Sequence, residues 1–295
     1  MNEVRVLGVP MDFGVDRRGV DMGPSAIRYG GLETELDEAG VTVTDDGDLE
    51  VPRAEERSVE DEGVPYLEEI ERVTDRLAER VRAIRAEGAV PLVLGGDHSL
   101  SIGSVAGSAD GASIGVCWFD AHADINTPET SPSGNVHGMS LAAILGRGEF
   151  GPDWAVPGVA EKHVAYVGLR SIDEREREWL QAGEMTAFTM ADIDEQGIAS
   201  VVEEALAVAS DGTDGVHVSL DMDWVDPGLA PGVGTPVKGG VNYREAHAAM
   251  ERVATLGPAL RSMDVVEVNP ILDEHNETAS LAAELVASAF GKRIL

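Results

Sequence analysis

The chain has 295 residues, 43% of them hydrophobic, and its 54 acidic against 22 basic residues give a formal net charge of −32 at pH 7. Apolar content of that size excludes wholesale disorder, and a chain without a basic patch offers nothing to nucleic-acid phosphates. The acids are spread along the chain and only Lys162, Lys238 and Lys292 are lysines, which predicts an anionic, halophilic surface suited to concentrated salt, where screening weakens self-repulsion. No run of about 18 apolar residues predicts a membrane span. Met1–Val6 lacks the basic and apolar regions of a signal peptide. The single cysteine, Cys117, lies in an apolar run and reads as an inert core thiol in a reducing cytoplasm.

Val4–Val9 reads as a first strand, followed by a Gly- and Asp-rich loop over Pro10–Gly23. Pro24, at a first helical position, opens a predicted helix over Ser25–Glu38. Val41–Thr44 reads as a brief strand and Asp45–Glu62, crowded with acids, as an exposed loop. Leu67, Ile70, Val73, Leu77, Val81 and Ile84 recur at spacings of three and four. They predict a helix over Tyr66–Glu87 with one buried stripe and a left-handed cap at Gly88. Ala89–Leu94 is the next strand and runs into Gly95-Gly96-Asp97-His98-Ser99, where two glycines permit a sharp turn. The apolar run Ile114–Phe119 predicts a strand ending in Asp120-Ala-His122-Ala-Asp124. In extended backbone alternate side chains share a face, so Asp120, His122 and Asp124 are expected to point one way.

Ile125–Gly138, rich in small hydroxyl and amide groups and broken by prolines, reads as an ordered, exposed loop. A helix is predicted over Met139–Leu145 and a strand over Val164–Leu169, after which Arg170-Ser-Ile-Asp173 leads into a charged helix near Glu174. Thr186–Thr189 reads as a short strand and Ile198–Ala209 as a helix. The strand Val216–Leu220 ends in Asp221-Met-Asp223, again an alternating pair. Pro227–Gly240 is a loop containing Thr235, Asn242–Thr255 a helix, and Thr278–Phe290 the closing helix. Glu267 is expected inside a strand over Val265–Val268, where a carboxylate needs a partner or a raised pKa. The alternation of strands and helices predicts an α/β fold, three-layer αβα, with a mainly parallel central sheet. Without repeat or linker it is read as a single domain over residues 1–295. Ligands of such sheets gather at the carboxyl ends of the strands, where every unusual polar cluster of this chain falls.

His98, Asp120, His122, Asp124, Asp221 and Asp223 make a set of four carboxylates and two imidazoles that suits divalent ions better than structural zinc, which prefers thiolates. Six ligands are too many for one ion that must keep a place for water and about right for two ions sharing bridging carboxylates. Two ions roughly 3.5–4 Å apart lower the pKa of a shared water toward neutrality, so the reaction class predicted is hydrolysis. An acidic surface by itself does not explain acids that alternate after apolar strands.

Gly-Gly-Asp97-His98-Ser, Asp120-Ala-His122-Ala-Asp124 and Ser-Leu-Asp221-Met-Asp223-Trp-Val-Asp-Pro resemble the three signatures of the arginase/agmatinase (ureohydrolase) family. The similarity extends from Gly19-Val-Asp-Met-Gly-Pro24 to the last helix. The resemblance implies an arginase-like fold and two Mn(2+) per subunit. One ion would sit on His98, Asp120, Asp124 and Asp221, the other on His122, Asp120, Asp221 and Asp223; the donor types alone would also admit cobalt, nickel or iron. Asn126, Ser131, Ser133, Asn135 and His137 resemble the loop with which arginases reach the α-carboxylate, a group agmatine lacks. Asp173 matches the aspartate that recognises the α-amino group, Glu267 the residue that holds the guanidinium, and Thr235 borders the same pocket.

The activity implied is hydrolysis of L-arginine to L-ornithine and urea by a metal-bridging hydroxide. Asp124 would accept the hydroxide's proton and His137 would exchange protons with solvent. An agmatinase or another guanidino-acid ureohydrolase is the alternative, and a non-catalytic metal-binding regulatory relative a remote one. The resemblance also implies a homotrimer or homohexamer. His163, His217, His247 and His275 fall outside the motifs and read as structural or surface residues, and Asp226 as part of the turn before Pro227.

Overall fold

The structure is a computed structural model that describes residues 3–52 and 64–294. Its strands are β1 (Val4–Val9), β2 (Val43–Asp48), β3 (Val90–Gly95), β4 (Ile114–Phe119), β5 (Val159–Leu169), β6 (Thr186–Thr189), β7 (Val216–Asp221) and β8 (Leu260–Val266). They pair in the order β2-β1-β3-β8-β7-β4-β5-β6, and every neighbouring pair is parallel. This is the predicted α/β architecture.

The helices are α1 (Gly23–Tyr29), α2 (Leu32–Glu38), α3 (Leu67–Ala86), α4 (Ser101–Ala109), α5 (Ser140–Ile144), α6 (Glu174–Ala182), α7 (Met190–Gln196), α8 (Ile198–Ser210), α9 (Tyr243–Val253) and α10 (Glu277–Ala289). Period-two alternation divides the strand side chains between two cores. Val4, Val6, Leu92, Leu94, Val218 and Leu220 pack with α1, α2, α8, α9 and α10. Leu7, Val9, Val93, Val116 and Trp118 pack with α3, α4 and α5 on the opposite face. The stripe of α3 is buried as its spacing predicts, with Ile70, Leu77 and Val81 fully covered, each worth about 1.5–3 kcal/mol relative to exposure. Gly88 closes the helix with φ +84°.

Several local expectations are corrected. The helix expected over Ser25–Glu38 is broken into α1 and α2 by Gly30-Gly31, with Gly31 at φ +102°. The acidic stretch from Asp45 begins as β2 rather than loop, because Arg5 pairs with Asp46 and Arg28 with Asp45 and Asp48; its remainder over 53–62 lies outside the described residues. β5 begins five residues before Val164. α4 has no clear apolar period in the sequence, yet it presses against α3 through Gly103 and Gly107. A Cβ on those glycines would stand 2.3 Å from the Thr74 carbonyl and 2.5 Å from the Ala78 carbonyl. α7 is a further helix the periodicity did not reveal, opened by a capping box between Thr189 and Asp192. Among the described residues no helix is long and apolar enough to cross a membrane.

The order β3-β8-β7-β4 positions the site. It makes neighbours of the strands that precede His98, Glu267, Asp221 and Asp120.

Candidate metal centre

Each ligand-bearing segment leaves its strand by a side-chain-capped turn. β4 stops at Phe119. Asp120 Oδ1 then accepts the His122 backbone N–H at 2.6 Å, and Asp124 takes a left-handed φ of +49°. β7 stops at Asp221, whose Oδ1 accepts the Asp223 N–H at 2.7 Å as the chain turns into a 3-10 helix over Met222–Trp224. The side chains therefore converge as expected, but by tight turns and not by alternation along an extended strand. Glu267 is also outside its strand: β8 ends at Val266 and Glu267 sits at φ +64°.

His98 Nδ1 lies 3.2 Å from Asp120 Oδ2, 3.0 Å from Asp124 Oδ2 and 3.2 Å from Asp221 Oδ2. His122 Nδ1 lies 3.0 Å from Asp223 Oδ2 and 3.5 Å from Asp120 Oδ1. Two groups of ligand atoms result, His98–Asp120–Asp221 and Asp120–His122–Asp223, each lying within 4.8 Å. Asp120 belongs to both and offers one oxygen to each side. Asp221 falls only in the group with His98 and Asp120.

The donor set fits cations. His98 Nδ1 is buried and aligned for no hydrogen bond although three carboxylate oxygens surround it. Burial and the Asp120 charge push the Asp124 carboxyl up to about 6. Burial with Asp223 and Asp120 raises Asp221 well above the carboxylate range, and burial with Asp120 raises Asp223. Burial would lower His122, but Asp223 and Asp120 outweigh it and hold the imidazole at about 12. Like charges crowded out of water in this way are relieved by divalent ions, which also displace the imidazole protons.

Beside the ligands lies a cavity of about 220 Å³ lined by His122, Asp124, Asn126, Ser131, Ser133, His137, Asp173, Asp221, Asp223 and Thr235 among others. A second, of about 540 Å³, shares His122, His137 and Thr235 with it and adds Asn135 and Glu267. Asn126 is buried, where an exposed loop was expected. Its Nδ2 donates to Asp173 Oδ2 at 2.7 Å. Asp173 caps α6, accepting the Glu176 N–H at 2.9 Å. Ser131 Oγ accepts the Gly134 N–H at 3.0 Å and Ser133 Oγ the Asn135 N–H at 3.2 Å, which hold the loop's shape. Thr235 donates to Asp223 Oδ2 at 2.9 Å.

Glu267 Oε1 accepts the His98 backbone N–H at 3.0 Å and meets His137 Nδ1 at 3.1 Å. Burial would lower His137, yet Glu267 and, behind it, Asp124 and Asp97 raise it to about 9. Burial alone would raise Glu267, but His137 holds it below its ordinary value.

The arginase family model matches residues 2–291. The chain belongs to the arginase family. It is 48% identical over 296 residues to the arginase of Bacillus subtilis (strain 168), covering 99% of each sequence. It superposes on the native structure of Bacillus caldovelox arginase at pH 5.6 with a TM-score of 0.93 and 45% identity, over 100% of both chains. A Burkholderia thailandensis protein described as a hypothetical agmatinase has a TM-score of 0.76 and 26% identity, over 97% of this chain and 84% of its own.

The sequence reading gives four residues of this site no role. Asp97 is a buried carboxylate that accepts the N–H groups of Gly14 and Ser99, each at 3.0 Å; burial and then Glu267 push it up to about 6. Trp118 stacks on His98 with centroids 4.2 Å apart and donates to Asp120 Oδ2 at 3.0 Å. Ser219 sits 2.8 Å from His98 Nε2. Glu176 lines the smaller cavity and burial raises it to about 7. Glu176 left a signal in the capping-box spacing Asp173-x-x-Glu176, and Asp97 and Ser219 lie within the quoted signatures; the contacts of Trp118 and Ser219 with His98 depend on which strands adjoin. Cys117 is buried, and burial pushes its thiol up to about 12. Asp226 accepts the Gly228 and Gly239 N–H groups and so shapes the turn it was assigned to.

Proposed function

We propose that this chain hydrolyses the guanidinium of L-arginine to give L-ornithine and urea, with two manganese ions per subunit. His98, Asp120, Asp124 and Asp221 would hold one ion and His122, Asp120, Asp221 and Asp223 the other. Such a pair supplies Lewis acidity and makes hydroxide available near neutral pH. The observation that carries the reading is the pair of ligand groups sharing Asp120, set beside a pocket floored by Glu267.

Glu267 is an anion held ionised by its surroundings, and a planar guanidinium is its natural bidentate partner. A side chain at Gly234 would project toward Glu267 Oε2, 3.6 Å from the Cβ position, so the glycine keeps that oxygen approachable. Asp173 would take the α-amino group. Asn126, Ser131, Ser133 and Asn135 would hold the α-carboxylate directly or through water, and Thr235 would close the pocket beside Asp223. Asp124, 3.0 Å from His98 Nδ1 and lining the smaller cavity, would accept the nucleophile's proton. His137 at about 9 carries a proton there and can pass one between the site and solvent.

The polar 126–135 loop supports arginine over agmatine, since agmatine has no carboxylate for it to meet. Urea release from arginine, agmatine and guanidinobutyrate with manganese tests this, and a strong preference for agmatine would overturn it. We further propose that the 295 residues act as one domain, in a cytoplasmic homotrimer or homohexamer adapted to salt. The net charge of −32 supports the last point, and full stability at low salt in a circular dichroism series would refute it.

A further inference from the structure

On the side of His98 away from the carboxylates, a line of buried polar side chains runs between β7 and β8. His98 Nε2 is 2.8 Å from Ser219 Oγ, and Ser219 Oγ donates to Asp264 Oδ1 at 2.6 Å. Asp264 Oδ2 lies 3.1 Å from His217 Nε2, at ion-pair distance but without a well-aimed N–H. His217 Nδ1 is 2.7 Å from Ser262 Oγ. All five side chains belong to fully buried residues. Strand register builds the line: His217 stands opposite Ser262 and Ser219 opposite Asp264, and each pair of alternate residues shares one face of its strand. The opposite face of β7 is Val216, Val218 and Leu220.

Burying a carboxylate and an imidazole where aliphatic side chains would pack costs stability, so the arrangement calls for a use. The direction of its hydrogen bonds suggests one. An ionised carboxylate only accepts, so the Ser219 hydroxyl proton points at Asp264. The Ser219 oxygen then has only lone pairs left for His98, and Nε2 must carry the proton. Nδ1, facing Asp120, Asp124 and Asp221, is then the nitrogen that gives up its proton when an ion binds. An imidazole binds a metal through its unprotonated nitrogen, and the partner of its other nitrogen fixes which one that is.

We infer that Asp264, seated against His217, is a positioning residue that acts through Ser219 to lock His98 in the tautomer whose bare Nδ1 faces the ion. The inference rests on the two-ion reading above and extends it across two strands.

Calorimetric titration of metal-free protein with Mn(2+) tests it on wild type, Asp264→Asn, Ser219→Ala and the double variant, alongside denaturant melts without metal. Asp264→Asn should weaken one of two ion sites by roughly 10–100-fold and leave the other within about threefold. Ser219→Ala, which keeps the lock testable if Asp264→Asn fails to fold, should do the same. The double variant should lose no more than either single one, since both cut the same line. Unchanged affinities in both single variants, additive losses, or equal weakening of both sites with a lowered metal-free midpoint would overturn the inference. Wild-type protein that binds fewer than two ions would sink the two-ion reading instead. Two bound ions without urea from arginine would sink the substrate assignment alone.

Discussion

Replacing Glu267 by Gln tests the pocket most directly, because its carboxylate meets the His98 N–H and His137 and would hold the guanidinium as well. The amide keeps an oxygen for the His98 N–H, which now lies 3.0 Å away, so the turn after β8 should survive. What goes is the charge. Removing one member of a buried, hydrogen-bonded charge pair costs about 2–5 kcal/mol, so kcat/KM for arginine should fall by about 30-fold to several thousand-fold at 1.4 kcal/mol per decade. His137 should respond as well. Its imidazole stands at about 9 against an ordinary 6.5, with Glu267 the foremost group raising it. The variant should bring it down by at least about one unit, the rest of the elevation being held by Asp124 and Asp97.

The sign for stability follows. A histidine whose folded pKa is raised contributes stability that is complete below about 6.5 and is lost as pH rises through about 9. Metal-free wild type should therefore lose up to about 3 kcal/mol across that window, at 1.36 kcal/mol per unit, and Glu267→Gln should show a flatter profile. NMR titration of the His137 ring, denaturant melts from pH 6 to 9.5 and urea-release kinetics measure the three effects. A His137 that still titrates near 9, or a kcat/KM within threefold of wild type, would refute the reasoning.

Asp120→Asn should strip both ions rather than one, since Asp120 offers an oxygen to each ligand group; metal analysis after gel filtration should find less than about one ion per chain. Retention of one tightly bound ion would deny Asp120 its shared role. Ser133→Ala combined with Asn135→Ala should raise KM for arginine by about 10-fold or more while leaving any agmatine turnover unchanged; an equal effect on both substrates would remove the loop from carboxylate recognition. Gly96→Ala should cost about 3 kcal/mol or more, because its Cβ would stand 2.0 Å from the Met11 carbonyl. A denaturation midpoint matching wild type would show that the turn before His98 can open.

Much of this site was legible because its parts are local. Gly95-Gly96-Asp97-His98 ends a strand by composition alone, and Asp120, His122 and Asp124 converge as their spacing promised. The route differed, because Asp120 and Asp221 fold back on their own backbone N–H groups and Asp124 turns left-handed. The valines around Glu267 predict a strand residue, whereas its positive φ aims it at His98 and His137. α4 stayed hidden because its glycines matter only against α3, which no local pattern displays.

By itself the sequence determined most of the strands and helices and which residues can ligate, since periodicity and residue chemistry are properties of neighbours in the chain. Only the tertiary structure decided that β8 runs between β3 and β7, and with it that Glu267 meets His137 and Asp264 stands behind His98. Strand order and register are set by long-range pairing, in which residues some 45 to 170 positions apart close a hydrogen bond, and that choice leaves no mark in any short window of sequence.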